Sequence, residues 1–127
     1  MLTASEIKSG LVQFYGTENY HRWSPLFSGH LLTDGVNWLC ENADCFWLVD
    51  AIASYHAEAM KDEMMRDMQF WTLKVKDGKA TLIGERDTGN VAFTQEIPFT
   101  DFPLDEIKIW VSRADPTNMV LMLCGEY

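Results

Sequence analysis

The densest group of chemically capable side chains in this chain is Tyr20-His21-Arg22-Trp23, with His30 and Asp34 following within a dozen residues. A guanidinium can fork onto a carboxylate or phosphate, and a histidine can move a proton near neutral pH. Tyrosine and tryptophan rings can stack on a flat ligand and hydrogen-bond its edge. Asp50 is a seventh candidate, because it stands inside Cys45-Phe46-Trp47-Leu48-Val49-Asp50-Ala51-Ile52-Ala53, an otherwise apolar stretch. A carboxylate buried among such residues has a raised pKa, the usual setting of acid–base chemistry. The commoner fate of such a residue is structural, on the solvent side of its helix or bonded to the irregular segment before it. Tyr20, His21, Arg22, Trp23, His30, Asp34 and Asp50 are therefore candidate binding residues, and no catalytic residue is assigned.

The reason is that no nucleophile stands beside a dedicated base. G-x-S-x-G, H-E-x-x-H and Gly-rich phosphate loops are all missing from the sequence. Cys40-x₄-Cys45 with His21, His30 and His56 supplies metal-capable atoms, but structural zinc sites show tighter paired spacing such as C-x₂-C. Neither a metal nor a cofactor is expected. Cys40, Cys45 and Cys124 are odd in number and sit beside apolar neighbours, which suits reduced, buried thiols of a cytoplasmic protein. The start of the chain lacks the pattern of a secretory signal, and no apolar run reaches the ~20 residues of a membrane span.

Charge narrows the partners. The 127 residues carry 10 basic and 19 acidic side chains, for a net charge of −9. The acidity is spread evenly, −5 over residues 1–66 and −4 over residues 67–127. Such a surface opposes sequence-independent binding to nucleic acid or to an anionic membrane. It permits a protein partner, and a homodimer is also possible. Five Trp in so small a chain are more rings than one core hides completely, so some are expected at the surface.

The elements that position these residues follow from a change in hydrophobic rhythm. Up to about Arg66 apolar residues recur every three or four places; from Gln69 they recur every second place between turn dipeptides. The expected fold is a single α+β domain over 1–127, with N-terminal helices packed on one face of a C-terminal antiparallel sheet of about five strands. Thr3-Ala4-Ser5-Glu6 has capping-box spacing and opens a helix whose expected stop is Gly16. Residues 17–32 show neither rhythm, being broken by Pro25 and Gly29, although 27–32 suit a short edge strand. Thr33 or Asp34 caps a second helix, and Asp44 is expected to cap a third that runs to Ala59.

In the second half, Asp77-Gly78 is a type I′ hairpin signal between two alternating runs. A two-residue loop sets Lys76 against Lys79, Val75 against Ala80 and Leu73 against Leu82, gathering the apolar residues on one side. Thr88-Gly89-Asn90 makes the next turn. The segment Pro98-Phe99-Thr100-Asp101-Phe102-Pro103-Leu104 suits either a stiff partner-binding loop or a plug for the core. The last strand, Met119 to Cys124, is apolar on both faces and so belongs in the middle of the sheet.

Taken together, Gly16-Thr17-Glu18-x-Tyr20-x-Arg22, Thr33-Asp34-Gly35-Val36-x-x-Leu39, Trp47-Leu48-x-Asp50-x-Ile52-Ala53-Ser54, Phe70-Trp71-x-Leu73 and Pro98–Leu104 resemble an uncharacterised family of small bacterial proteins, a domain of unknown function with members on phages and plasmids. The resemblance spans most of the chain. It implies a bacterial cytoplasmic setting and brings no catalytic residue. The leading expectation is a small acidic module that binds another protein, in an accessory or anti-defence role for a mobile element. The alternative is a small enzyme or ligand-binding domain whose pocket lies between the Tyr20–Asp34 segment and Asp50.

Overall fold

A computed structural model describes residues 2–127. In chain order the elements are α1 (Ala4–Leu11), β1 (Tyr20–His21), β2 (His30–Thr33), α2 (Asp34–Ala43), α3 (Phe46–Ala53), α4 (His56–Ala59), β3 (Met68–Lys76), β4 (Lys79–Asp87), β5 (Asn90–Ile97), β6 (Glu106–Asp115) and β7 (Asn118–Leu123). Short 3₁₀ turns at Pro25–Phe27 and Cys124–Glu126 complete it. The fold is α+β, but the sheet has seven strands in the order β1-β2-β7-β6-β3-β4-β5, two more than expected.

The two extra strands come from the segment without periodicity. β2 pairs with β7 in parallel, His30 beside Met119 and Leu32 beside Leu121, so the sheet is mixed rather than antiparallel. β1, not β2, forms the edge, pairing Tyr20 with Thr33. Four residues between a glycine and a helix cap are too few to show alternation, and their partner lies some ninety residues on. The Gly29 carbonyl accepts the Met119 amide at 2.8 Å, which starts the pairing.

The hairpin forms as read. Asp77 and Gly78 both have positive φ, 54° and 73°, and Lys76, Val75 and Leu73 face Lys79, Ala80 and Leu82. β7 lies between β2 and β6 and is buried along most of its length. Gly89, with φ of 80°, makes the turn into β5.

Helix ends depart from the reading in three places. The Thr3–Glu6 capping box is present, but α1 closes at Val12 in right-handed geometry rather than at Gly16. Gly10 is tolerated inside it because the Trp38 ring packs on that spot, where a Cβ would lie 2.1 Å from the ring. Thr33 caps α2, accepting from the Val36 amide. Asp44 ends α2 in left-handed geometry (φ 51°, ψ 51°) instead of capping α3. The third helix divides in two, because at Tyr55 the chain tightens to an i→i−3 bond with Ile52. The Tyr55 ring then docks on Trp71 and Phe93 with centroids 5.3 and 4.8 Å away, and its hydroxyl donates to Gln95 at 3.0 Å.

The buried cluster joins Ile7 of α1, Val36, Leu39 and Cys40 of α2 and Leu48, Val49 and Ile52 of α3 with one pleat of the sheet. That pleat includes Leu32, Leu121, Leu123, Ile109, Val111, Trp71, Leu73, Ala80 and Leu82. Each large side chain fully removed from water contributes about 1.5–3 kcal/mol. Phe102 and Leu104 enter the same cluster, whereas Phe99 stands 86% exposed, so the Pro-flanked segment divides between plug and surface.

Candidate functional site

The seven candidate residues fall into three small constellations rather than one. In the first, His21 Nε2 of β1 lies 2.8 Å from Asp34 Oδ1 at the start of α2. The other oxygen of Asp34 accepts the backbone amides of Glu18 and Asn19 at 3.0 and 3.4 Å. Thr17 Oγ1 closes the loop by accepting the Asp34 amide at 2.9 Å. The contact with His21, followed by the Glu18 amide, holds the Asp34 carboxyl below the usual carboxylate range. With its acceptor capacity engaged inside the chain, Asp34 pins residues 17–21 to α2. Tyr20 itself points outward and is exposed.

In the second constellation the Trp23 indole donates to Asp50 Oδ1 at 2.7 Å. Asp50 is exposed, so it sits on the outer side of α3 and tethers the irregular segment across the helix. Arg22 donates to the Ser28 carbonyl and closes the turn around Pro25–Phe27.

The third constellation surrounds His30. Its ring is 6% exposed and makes aromatic contacts, edge-on to Trp23, Phe27 and His56 at 6.5, 6.2 and 4.9 Å between centroids. Burial, assisted by His56, lowers the His30 pKa to about 4. A cavity of about 350 Å³ opens here, lined by Leu26, Phe27, Ser28, His30, Ser54 and His56 among others. Neither Asp34 nor Asp50 lines it. Among the seven candidates a histidine meets a carboxylate in the His21–Asp34 pair, and neither of these two residues lines this cavity.

The cysteines also separate. Cys40 and Cys45 are buried, and the neighbouring Cys45 side chain and burial push the Cys40 thiol up, so it is unreactive at neutral pH. Cys124 is exposed, contrary to the expectation of three buried thiols. No group of three or more His, Cys, Asp or Glu side chains gathers among the described residues.

A larger concavity lies on the outer pleat of the sheet, away from all seven. Directly opposed residues of paired strands share a face. One row therefore runs Val91–Glu85–Phe70–Trp110–Met122 across β5, β4, β3, β6 and β7. Phe70 and Trp110 meet edge to face at 5.1 Å, and Tyr127 adds its ring to Trp110 at 5.5 Å while remaining 76% exposed. Glu126 holds this end in place by accepting from the Thr33 hydroxyl at 2.6 Å and the Gly35 amide at 3.0 Å. The resulting trench, about 600 Å³, is walled by Phe70 and Trp110 and rimmed by Glu85, Asp87 and Lys108. A second depression continues from it past Ile83, Val91, Lys74 and Glu106. The hairpin register already assigns Phe70 to the pleat opposite Trp71; a large ring on the polar side of an alternating strand is the signal that sequence reasoning passed over.

None of the curated proteins compared with this chain matches it. Among solved structures it is similar to a crystal structure of a protein of unknown function from Enterococcus faecalis, with a TM-score of 0.52. The two are 14% identical over 84% of this chain and 98% of the other, a likeness that extends to the fold alone. A family model matches residues 5–127, nearly the whole chain, and on that match the protein belongs to the family of unknown function DUF6876.

Proposed function

We propose that this chain is a protein-binding module that docks through the outer pleat of its sheet onto a basic segment of another protein. The observation that carries the reading is the Phe70–Trp110–Tyr127 aromatic row, left at the surface while the helices are given to the opposite face. Aromatic rings with an apolar body and a polar edge are the usual anchors of protein interfaces. The sign of the partner follows from the rim. Glu85 and Asp87 rim the trench against Lys108, on a chain of net charge −9. An arginine or lysine entering it would meet ring faces and carboxylates together. A bacterial cytoplasmic setting, with an accessory or anti-defence role on a phage or plasmid, belongs to the same reading.

The reading is tested by capture from bacterial lysate with the wild type and Trp110→Ala side by side. A partner retained at about 0.1 M salt, released toward about 1 M, and lost from Trp110→Ala supports it. Capture that is unchanged in the variant, or no capture at any salt, overturns it. A homodimer through the same face would show instead as a doubled mass in light scattering that Trp110→Ala abolishes.

A further inference from the structure

We propose that His30 and His56 form a two-histidine site for a borderline divalent transition-metal ion, of the Zn²⁺ or Ni²⁺ class, at the floor of the cavity between the Pro25–Phe27 turn and the start of α4. The site is separate from the outer trench and does not depend on its occupant. Buried polar atoms in folded proteins are nearly always hydrogen-bonded, and one that is not calls for an ion, a water or a ligand. His56 Nδ1 is buried and has no partner among the described residues. The neighbouring His30 is almost wholly buried and packs against rings rather than donors. The unpartnered nitrogen of His56 and the His30 ring thus meet at one end of a cavity of about 350 Å³.

Their geometry suits a shared ion. The rings are nearly perpendicular, at 84°, with centroids 4.9 Å apart. Imidazoles bound to one zinc at about 2.0–2.1 Å per bond hold their ring centres roughly 5 Å apart.

The class of metal follows from the donors. Imidazole suits Zn²⁺, Ni²⁺ and Cu²⁺, whereas Mg²⁺ and Ca²⁺ need oxygen ligands. No carboxylate is among the residues that line the cavity, and Asp34 and Asp50 are committed elsewhere, to His21 and Trp23. The chain therefore supplies two nitrogens and leaves the remaining positions to water, with Ser28 and Ser54 among the residues of the cavity wall. Such a site is open and binds in the micromolar range rather than as tightly as a closed four-ligand centre.

The test titrates the full chain with Zn²⁺ and, separately, Ni²⁺, read by calorimetry. The Zn²⁺ arm is also read by the ¹⁵N shifts of the three imidazoles. The expected result is one saturable site at which His30 and His56 shift together, while His21, held by Asp34, does not. His56→Ala, at a half-buried position, weakens binding by at least about tenfold. His30→Phe, which keeps ring volume, does the same and serves where His30→Ala fails to fold. No saturable binding up to about 1 mM metal overturns the proposal, as does a shift confined to His21 or unchanged affinity in His56→Ala. None of these results bears on capture through Trp110, so the two readings stand or fall separately.

Discussion

Two neighbouring rows of side chains cross the same five strands and face opposite ways. The inner row, Phe93–Gly84–Trp71–Ile109–Leu123, is built around a tryptophan 1% exposed, stacked parallel to Phe93 at 9° and seated over a glycine. The outer row, Val91–Glu85–Phe70–Trp110–Met122, has a tryptophan too, but one meeting its neighbours edge-on and half open to solvent. Both rows use the same strands, and each is built around one tryptophan and one phenylalanine. What differs is what each ring has to touch. The inner indole donates to the Gln69 side-chain oxygen at 2.9 Å and lies within the buried cluster. The outer one touches Phe70 and Tyr127 and lines the trench. The first arrangement is a device for stability, and the second leaves contact area free for something else.

The sharpest way to break this comparison is to truncate both tryptophans. Trp71→Ala should destabilise the fold by about 3–5 kcal/mol, the cost of removing a buried ring and leaving its cavity. Trp110→Ala should cost no more than about 1 kcal/mol, as for a partly exposed position. Urea denaturation midpoints of the two variants measure both. If Trp110→Ala unfolds the protein as readily as Trp71→Ala, the outer row is core and its proposed role as a docking face is lost.

A smaller effect sharpens the account of the inner row. At Gly84 a Cβ would lie 2.8 Å from the Trp71 ring, closer than real contacts allow, and the ring is locked between Tyr55 and Phe93. Gly84→Ala should therefore cost about 1–3 kcal/mol through overpacking. The cost should largely disappear when Trp71→Ala is already present, because the clash partner is gone. A double-mutant cycle reads that coupling directly, and additive costs would show that Gly84 is required for the bend of β4 rather than for the ring.

How much of this was legible in the sequence depended on how local the cause was. The Asp77-Gly78 hairpin and its pairing follow from two residues that tolerate positive φ and from alternation on either side, all within some fifteen positions. The Thr3–Glu6 box and the Thr33 cap are equally local. Asp44 misleads because an Asp suits both an N-cap and a left-handed stop, and here its amide and that of Cys45 both turn back onto the Cys40 carbonyl. β1 and β2 were illegible for a different reason: they are strands only because β7 offers an edge, and four residues carry no rhythm of their own. The site was partly legible in the same sense. His21, Asp34, Trp23 and Asp50 do engage one another, but as tethers, and His56, read only as one of several metal-capable atoms, becomes interesting once the chain folds it against His30.

The smallest expected effect concerns acid, and it separates the inner face from the surface electrostatically. His30 belongs to the inner pleat beside Leu32, and its pKa in the folded protein, about 4, lies below the ordinary histidine value of 6.5. The unfolded chain therefore takes up a proton before the folded one does. Stability is unaffected above pH 6.5 and falls as the pH drops from there toward 4, below which the loss is complete. At about pH 5.5 the loss should be about 1 kcal/mol once solvent screening is allowed for. Asp34 acts in another window: its lowered pKa favours the fold above the ordinary carboxylate value of 3.8, and that contribution disappears only at lower pH. Urea midpoints measured in chelator from neutral pH down to about pH 4.5 should thus fall in the wild type and flatten in His30→Phe, whereas an equal slope in both would mean that the imidazole is solvated and that the inner face admits water at this end of the sheet.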